Sequence, residues 1–345
     1  MKTYNLCLLG FGNVGRALAR LLVAKSEEMR GEFGVGWKIT GVASRRLGWA
    51  VSTEGFDVER LLAGEVETEV THAPRDVRAW LAAARAGVMF ETTSLEPHTG
   101  QPAVEHVRAA LEAGAHAVTA NKGAVVHGYE ELSKLARERG RRFLFEATVA
   151  DCLPVFSMFR ESLPAARLAG FRAVLNSTTT VVIEEIERGR SFAEGVERAQ
   201  SMGIAETDPS YDVDGWDAAV KVSALAAVLM REPLRLEEVG RVGIRHLDAT
   251  TLRAARAEGM PYRLVSRAWR GEGGRVRASV RPEQLGRDDP FAALGGSSLG
   301  VRFELDVLPG LTIVAHDPNL QSTAYGLLAD FINAARGDDD GGEGR

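Results

Sequence analysis

Tyr4-Asn-Leu-Cys-Leu-Leu9 runs without a break into Gly10-Phe-Gly-Asn-Val-Gly15, and residues 16–29 then read as a helix. An apolar strand, a complete G-x-G-x-x-G and a helix, in that order, are the opening of a dinucleotide-binding βαβ unit. Gly10 permits the tight turn, Gly12 lets the main chain approach a pyrophosphate, and Gly15 lets helix and strand pack closely. Phe11, Asn13 and Val14 complete the loop, and the helix N-terminus faces the phosphates. A tight turn without a ligand is the bland alternative, and the alternating pattern that follows argues against it.

Strands are expected at 38–43, 88–91, 116–119 and 142–145, and helices near 57–63, 74–84, 101–113 and 129–139. Strands alternating with helices predict an α/β fold, a Rossmann-type doubly wound parallel sheet. Beyond Thr148 the pattern changes. A helix near 154–161, a strand at 168–175, helices after Asn176 and at 192–201, then strands at 262–269, 275–280, 300–307 and 311–315, predict a second, α+β domain with a largely antiparallel sheet. The expected division is 1–150 completed by a returning helix at 320–336, then 151–319. The stretch 337–345 has no apolar residue and is expected to be disordered.

The end of the second strand bears on the cofactor. An NAD site usually has Asp or Glu there for the ribose hydroxyls. This chain has Ser44-Arg45-Arg46, and arginine suits a 2′-phosphate. NADP is therefore expected, with NAD as the alternative; two solvated arginines are the plain reading. Thr92, Thr93, Ala120 and Asn121 follow later strands, where ligands collect in such sheets.

With 345 residues and a net charge of −5, the chain has no electrostatic reason to bind nucleic acid or an anionic membrane. Cys7 reads as a buried thiol, and with Cys152 the only other cysteine no disulfide framework or zinc site is indicated. No segment approaches a membrane span. The reading is a cytoplasmic protein acting on a small molecule.

One further stretch stands out. Residues 205–230 begin as an acidic loop with Glu206, Asp208, Asp212 and Asp214, then turn at Gly215 into a helix that is apolar on almost every side. Its only charges, Asp217 and Lys221, are four apart and share a face. A solvated ion pair fits poorly in a helix of buried type. A pair at the wall of a cleft fits better.

Taken together, the chain resembles homoserine dehydrogenase over residues 4–335. The residues that carry the likeness are Gly10-Phe-Gly-Asn-Val-Gly15, Thr119-Ala-Asn-Lys-Gly123, Phe145-Glu-Ala-Thr-Val149, Leu175-Asn-Ser-Thr-Thr179 and the long pattern from Ala199 to Lys221. The resemblance implies reversible hydride transfer between aspartate 4-semialdehyde and homoserine. It implies that Lys221 moves the proton at the alcohol oxygen with Asp217 as carboxylate partner. Glu206 and Asp212 would hold the substrate's amino group, Gly203 would make a main-chain contact, and Lys122 would lie near nicotinamide and substrate. Glu146 and Val149 would open a monovalent-cation site. The second domain would be catalytic and form a homodimer. The chain stops after its last helix, which implies the short type without a C-terminal ACT-type regulatory domain.

Departures from the family pattern matter as well. Ala150-Asp151-Cys152 replaces small residues, often a Gly pair. Ser177 replaces a common Gly. Ala315-His-Asp-Pro-Asn-Leu320 replaces a Gly-rich loop, and Pro318 is expected to push Asp317 towards extended geometry. These changes motivate two competing readings: a related oxidoreductase for a different hydroxy amino acid, and a nucleotide-binding protein without turnover. Retention of Asp217 and Lys221 argues against the second.

Overall fold

The computed structural model describes residues 1–66 and 74–339, which form two compact units. The first comprises Met1–Cys152 and the stretch from Leu320; the second is Leu153–Asn319.

The first unit is built on six strands: β1 (Lys2–Leu9), β2 (Val35–Ser44), β3 (Gly48–Val51), β4 (Val88–Glu91), β5 (His116–Thr119) and β6 (Phe143–Leu144). Their order is β3-β2-β1-β4-β5-β6, and pairing is parallel from β2 to β6. Leu6, Cys7, Leu8 and Leu9 of β1 are all buried, as expected of a central strand covered on both faces. Burial pushes the Cys7 thiol up to about 12, so it stays protonated and inert. The sheet is not wholly parallel. β3, absent from the sequence reading, returns antiparallel to β2 through a tight turn in which Leu47 N donates to Ser44 Oγ at 3.1 Å.

Other boundaries move for local reasons. The helix expected at 16–29 is two helices, Asn13–Ala24 and Ser26–Phe33, separated at Lys25, whose φ of −104° and ψ of 10° leave the helical well. The helix expected from 129 begins at Lys122 because Asn121 caps it, accepting from Gly123 N at 2.9 Å. Two glycines, Gly123 and Gly128, hide that start from propensity reasoning.

The final helix, Leu320–Asp339, belongs to this first core. Leu327, Leu328 and Phe331 pack with Leu6, Leu8, Leu18 and Phe90. Phe331 meets Tyr4 and Phe90 edge to face, with centroids 5.6 and 6.0 Å apart. The helix runs through Gly337 to Asp339, so the expected tail begins as helix. Extension costs little once a helix is nucleated. The rest of that expectation, 340–345, lies outside the described residues.

The second unit carries β7 (Leu168–Val174), β8 (Val239–Arg241), β9 (Tyr262–Arg270), β10 (Val276–Gln284), β11 (Leu299–Leu305) and β12 (Leu311–Ala315) in the order β12-β11-β7-β9-β10-β8. All pairs are antiparallel except β10 with β8. β8, with three residues, is too short to show an alternation, and the helix Ala249–Ala257 adds to the expected elements. The helix expected at 154–161 is one α-turn, Val155–Ser157, continued as a π-turn, Met158–Ser162. The helix Trp216–Leu229 is buried from Ala218 to Ala227 apart from Lys221. Among the described residues no helix is long and apolar enough to cross a membrane.

Phe331 sits at the junction of the last helix and the first sheet. Phe331→Ala should lower the unfolding free energy of that unit by about 3–5 kcal/mol, read as an earlier urea transition. A loss below about 1 kcal/mol would remove the helix from this core.

Candidate active site

The glycine loop is shaped by its own unit. Gly10 has φ of +93°, and a Cβ there would lie 2.5 Å from the Thr92 carbonyl oxygen. Gly10 N donates to Ala43 O at 2.9 Å, and Thr92 Oγ1 donates to Gly10 O at 2.5 Å. The loop is thereby tied to the ends of β2 and β4. A Cβ on Gly15 would run into the Gly10 carbonyl oxygen. Gly12 is different: nothing lies within 4 Å of its Cβ position, and it precedes Asn13–Ala24 with no side-chain cap. An uncapped helix start with an open approach fits a pyrophosphate. Asn13 is exposed, Val14 partly buried and Phe11 buried, with the Arg16 guanidinium 5.5 Å above the Phe11 ring.

The carboxyl ends of β4 and β5 form one network. Glu91 is fully buried and accepts from Thr93 N at 3.2 Å, from the Thr93 hydroxyl, and from Thr119 Oγ1 at 3.1 Å. Asn121 Nδ2 donates to the carbonyls of Thr93 (3.2 Å) and Ser94 (3.3 Å). Thr92, Thr93, Ala120 and Asn121 thus gather along this sheet edge, with Lys122 as the first residue of the helix beside them. The sequence reading missed Glu91, which holds Thr93 in place. Ser44 ends β2, and Arg45 and Arg46 are exposed in the turn to β3.

In the second unit Lys221 Nζ lies 2.9 Å from Asp217 Oδ2 and donates to the Leu175 carbonyl at 2.6 Å. The two side chains are only 14% and 13% exposed. Asn176 Nδ2 donates to Asp217 Oδ2 at 3.0 Å and to Asp212 Oδ1 at 2.6 Å, while Thr178 Oγ1 reaches Asp212 Oδ2 at 3.1 Å. The exit of β7 therefore gathers one ammonium and two carboxylates. Burial, and then the neighbouring Asp217 charge, push the Asp212 carboxyl above the usual aspartate range; Asn176, Lys221 and Thr178 pull it back. In the sequence Asn176 and Thr178 carry no assigned role beyond the Leu175-Asn-Ser-Thr-Thr179 motif. Asn176 had a signal, a polar residue between a strand end and a helix start.

Glu206 and Gly203 are not drawn into that cluster. Glu206 is exposed and its carbonyl accepts from Gln200 Nε2 at 3.0 Å; Gly203 closes a helix at φ of +72° with open space beyond.

The departures have local explanations. Asp151 adopts φ of +55°, a region that favours glycine and that aspartate tolerates, and its carboxylate accepts from the Thr323 hydroxyl. Asp317 has φ of +47°, which corrects the extended geometry expected before Pro318, and its N–H donates to Ser298 Oγ at 3.4 Å. Ser177 Oγ donates to the Ser297 carbonyl at 2.8 Å. Glu146 opens a buried 3₁₀ turn, and its N–H is held by Asp330 Oδ2 at 2.8 Å. Among the described residues no group of three or more His, Cys, Asp or Glu converges as a metal site.

Comparison with known proteins fits this geometry. The family model "Homoserine dehydrogenase" matches residues 154–332, and "Homoserine dehydrogenase, NAD binding domain" matches 10–146. The chain belongs to the homoserine dehydrogenase family. It is an oxidoreductase of amino-acid biosynthesis with a nicotinamide-cofactor domain. It is 34% identical over 339 residues to an NAD(+)-dependent homoserine dehydrogenase of Pseudomonas canavaninivorans, covering 96% of each chain. A homoserine dehydrogenase structure from Thiobacillus denitrificans superposes with a TM-score of 0.84 at 26% identity, covering 100% of this chain and 76% of that one. A hyperthermophilic archaeal homoserine dehydrogenase in complex with NADPH gives 0.80 at 28% identity, covering 96% and 98%.

The two loop glycines should separate. Gly12→Val, set in open space, should leave the melting temperature nearly unchanged and weaken NAD(P)H binding by roughly tenfold or more. Gly10→Ala, with a backbone clash and positive φ, should lower both, measured by cofactor fluorescence and calorimetry.

Proposed function

We propose that this chain interconverts L-homoserine and L-aspartate 4-semialdehyde, with Lys221 moving the proton at the C4 oxygen. The observation that carries the reading is the Lys221–Asp217 pair, held at the exit of β7 beside Asp212. A nicotinamide dinucleotide held at the Gly10–Gly15 loop would supply the hydride acceptor for homoserine oxidation and the hydride donor for the reverse reaction. Reduction builds negative charge on oxygen, and a positioned ammonium both stabilises it and supplies the proton. Asp217 orients Lys221 through their 2.9 Å ion pair.

Asp212 and the exposed Glu206 offer carboxylates to the substrate ammonium, Gly203 offers a main-chain contact, and Lys122 offers a second cation. The homoserine substrate is favoured over another hydroxy amino acid because Asp151 and Asp317 serve backbone turns. Their presence gives no reason for an altered specificity. We assign NADP as the preferred cofactor from Ser44, Arg45 and Arg46, with no carboxylate at the end of β2. The chain acts as a homodimer, and Glu146 and Val149 are the candidate ligands for a monovalent cation.

Homoserine oxidation should be measurable with purified protein, and Lys221→Ala should cut kcat by about 10²-fold or more with cofactor affinity retained. Activity within a few-fold would remove Lys221 from the mechanism. Arg45→Ala with Arg46→Ala should narrow a preference for NADP over NAD. Equal kcat/KM of the unmutated protein with the two cofactors would refute the assignment.

A further inference from the structure

We infer that Asn176 is a positioning residue that lets Asp212 and Asp217 face one another as two carboxylates, one for the substrate ammonium and one for Lys221. The inference rests on the function proposed above.

The orientation of the amide is fixed by its partners. Oδ1 accepts from Thr179 N at 2.9 Å, so the amide nitrogen points the other way. Its two hydrogens are then divided, one to Asp212 Oδ1 at 2.6 Å and one to Asp217 Oδ2 at 3.0 Å. A flipped amide would set its oxygen against two carboxylates and its donors against an N–H. No other neutral side chain of this length offers two donors and one acceptor in that arrangement. Asn176 is itself buried, as is the residue before it, whose carbonyl takes Lys221 Nζ. Two consecutive residues thus position all three charged groups.

The charges around Asp212 are few. From the helix Trp216–Leu229 come Asp217, which opposes its ionisation, and Lys221, which favours it. The helix Ser177–Glu187 contributes the Thr178 hydroxyl, which donates to Asp212 Oδ2 at 3.1 Å. Within its own segment Tyr211 adjoins it, and Asp214 is taken by Arg245 at 2.6 Å. Asn176 is a neutral group that bonds both carboxylates. Without it, both carboxylates lose a shared donor, and Asp212 holds its proton to higher pH. A protonated Asp212 has no charge for the substrate ammonium.

Asn176 also caps the helix Ser177–Glu187, so a purely structural role has to be separated. Asn176→Ser retains a capping oxygen but cannot bridge two carboxylates. In Asn176→Ser the acid limb of kcat/KM for homoserine should move to higher pH by roughly half a unit or more, with KM raised more than kcat is lowered. NADP(H) affinity should stay near that of the unmutated protein, and the melting temperature should fall only modestly, since the helix cap is kept while two carboxylates lose a donor. Carbon-13 NMR titration of the Asp212 carboxyl, without substrate, should show the same upward shift. An unshifted acid limb and an unshifted Asp212 titration in Asn176→Ser would overturn the inference and leave Asn176 as a helix cap. Absence of homoserine turnover by the unmutated protein would instead defeat the proposed function, and the carboxyl titration would still decide whether Asn176 couples the two groups.

Discussion

Two carboxylates and an ammonium, held within hydrogen-bond reach and mostly out of water, set the terms for the second unit. Charges in that state need fixed partners, since an unmatched one is costly. The apolar helix Trp216–Leu229 supplies the rigidity. Its burial leaves Asp217 and Lys221 on one stripe, and that stripe meets the exit of β7. There the Leu175 carbonyl and the Asn176 amide meet them. Burial raises Asp212 towards protonation, so the site holds carboxylate charge that a cationic substrate group would relieve.

The first unit solves a different problem, close backbone approach. Gly10 and Gly15 are needed because main-chain oxygens occupy the space of a side chain, and Gly12 because that space is left open. Glu91 adds stiffness from beneath. A buried carboxylate that accepts from two threonines fixes the ends of β4 and β5, from which Thr93 and Asn121 project. A site built on strand ends held in this way keeps its geometry without relying on loop order.

Two of the departures from the family pattern share a backbone feature. Asp151 and Asp317 both stand at positive φ, where glycine is the usual choice. Aspartate is among the few residues that tolerate this region. Asp151 also gains a hydrogen bond from Thr323. At these two positions the side chain accompanies a left-handed turn rather than a new catalytic group.

Periodicity and punctuation made the fold legible. The strand-glycine-helix opening, the alternation after it and the later run of strands carried the class of both sheets, because burial on two faces or one leaves a direct mark on sequence. Spacing along one helix was also enough to pair Asp217 with Lys221. Short or antiparallel edge elements such as β3 and β8 left no such mark, nor did a helix start masked by glycines. The sequence by itself determined which residues could carry charge and which segments had to be buried. Only the tertiary structure decided that Leu175 and Asn176, some 36 to 46 residues away, would hold those charges. Hydrogen bonds between distant segments depend on the meeting of strand ends and helix faces, which no local pattern encodes.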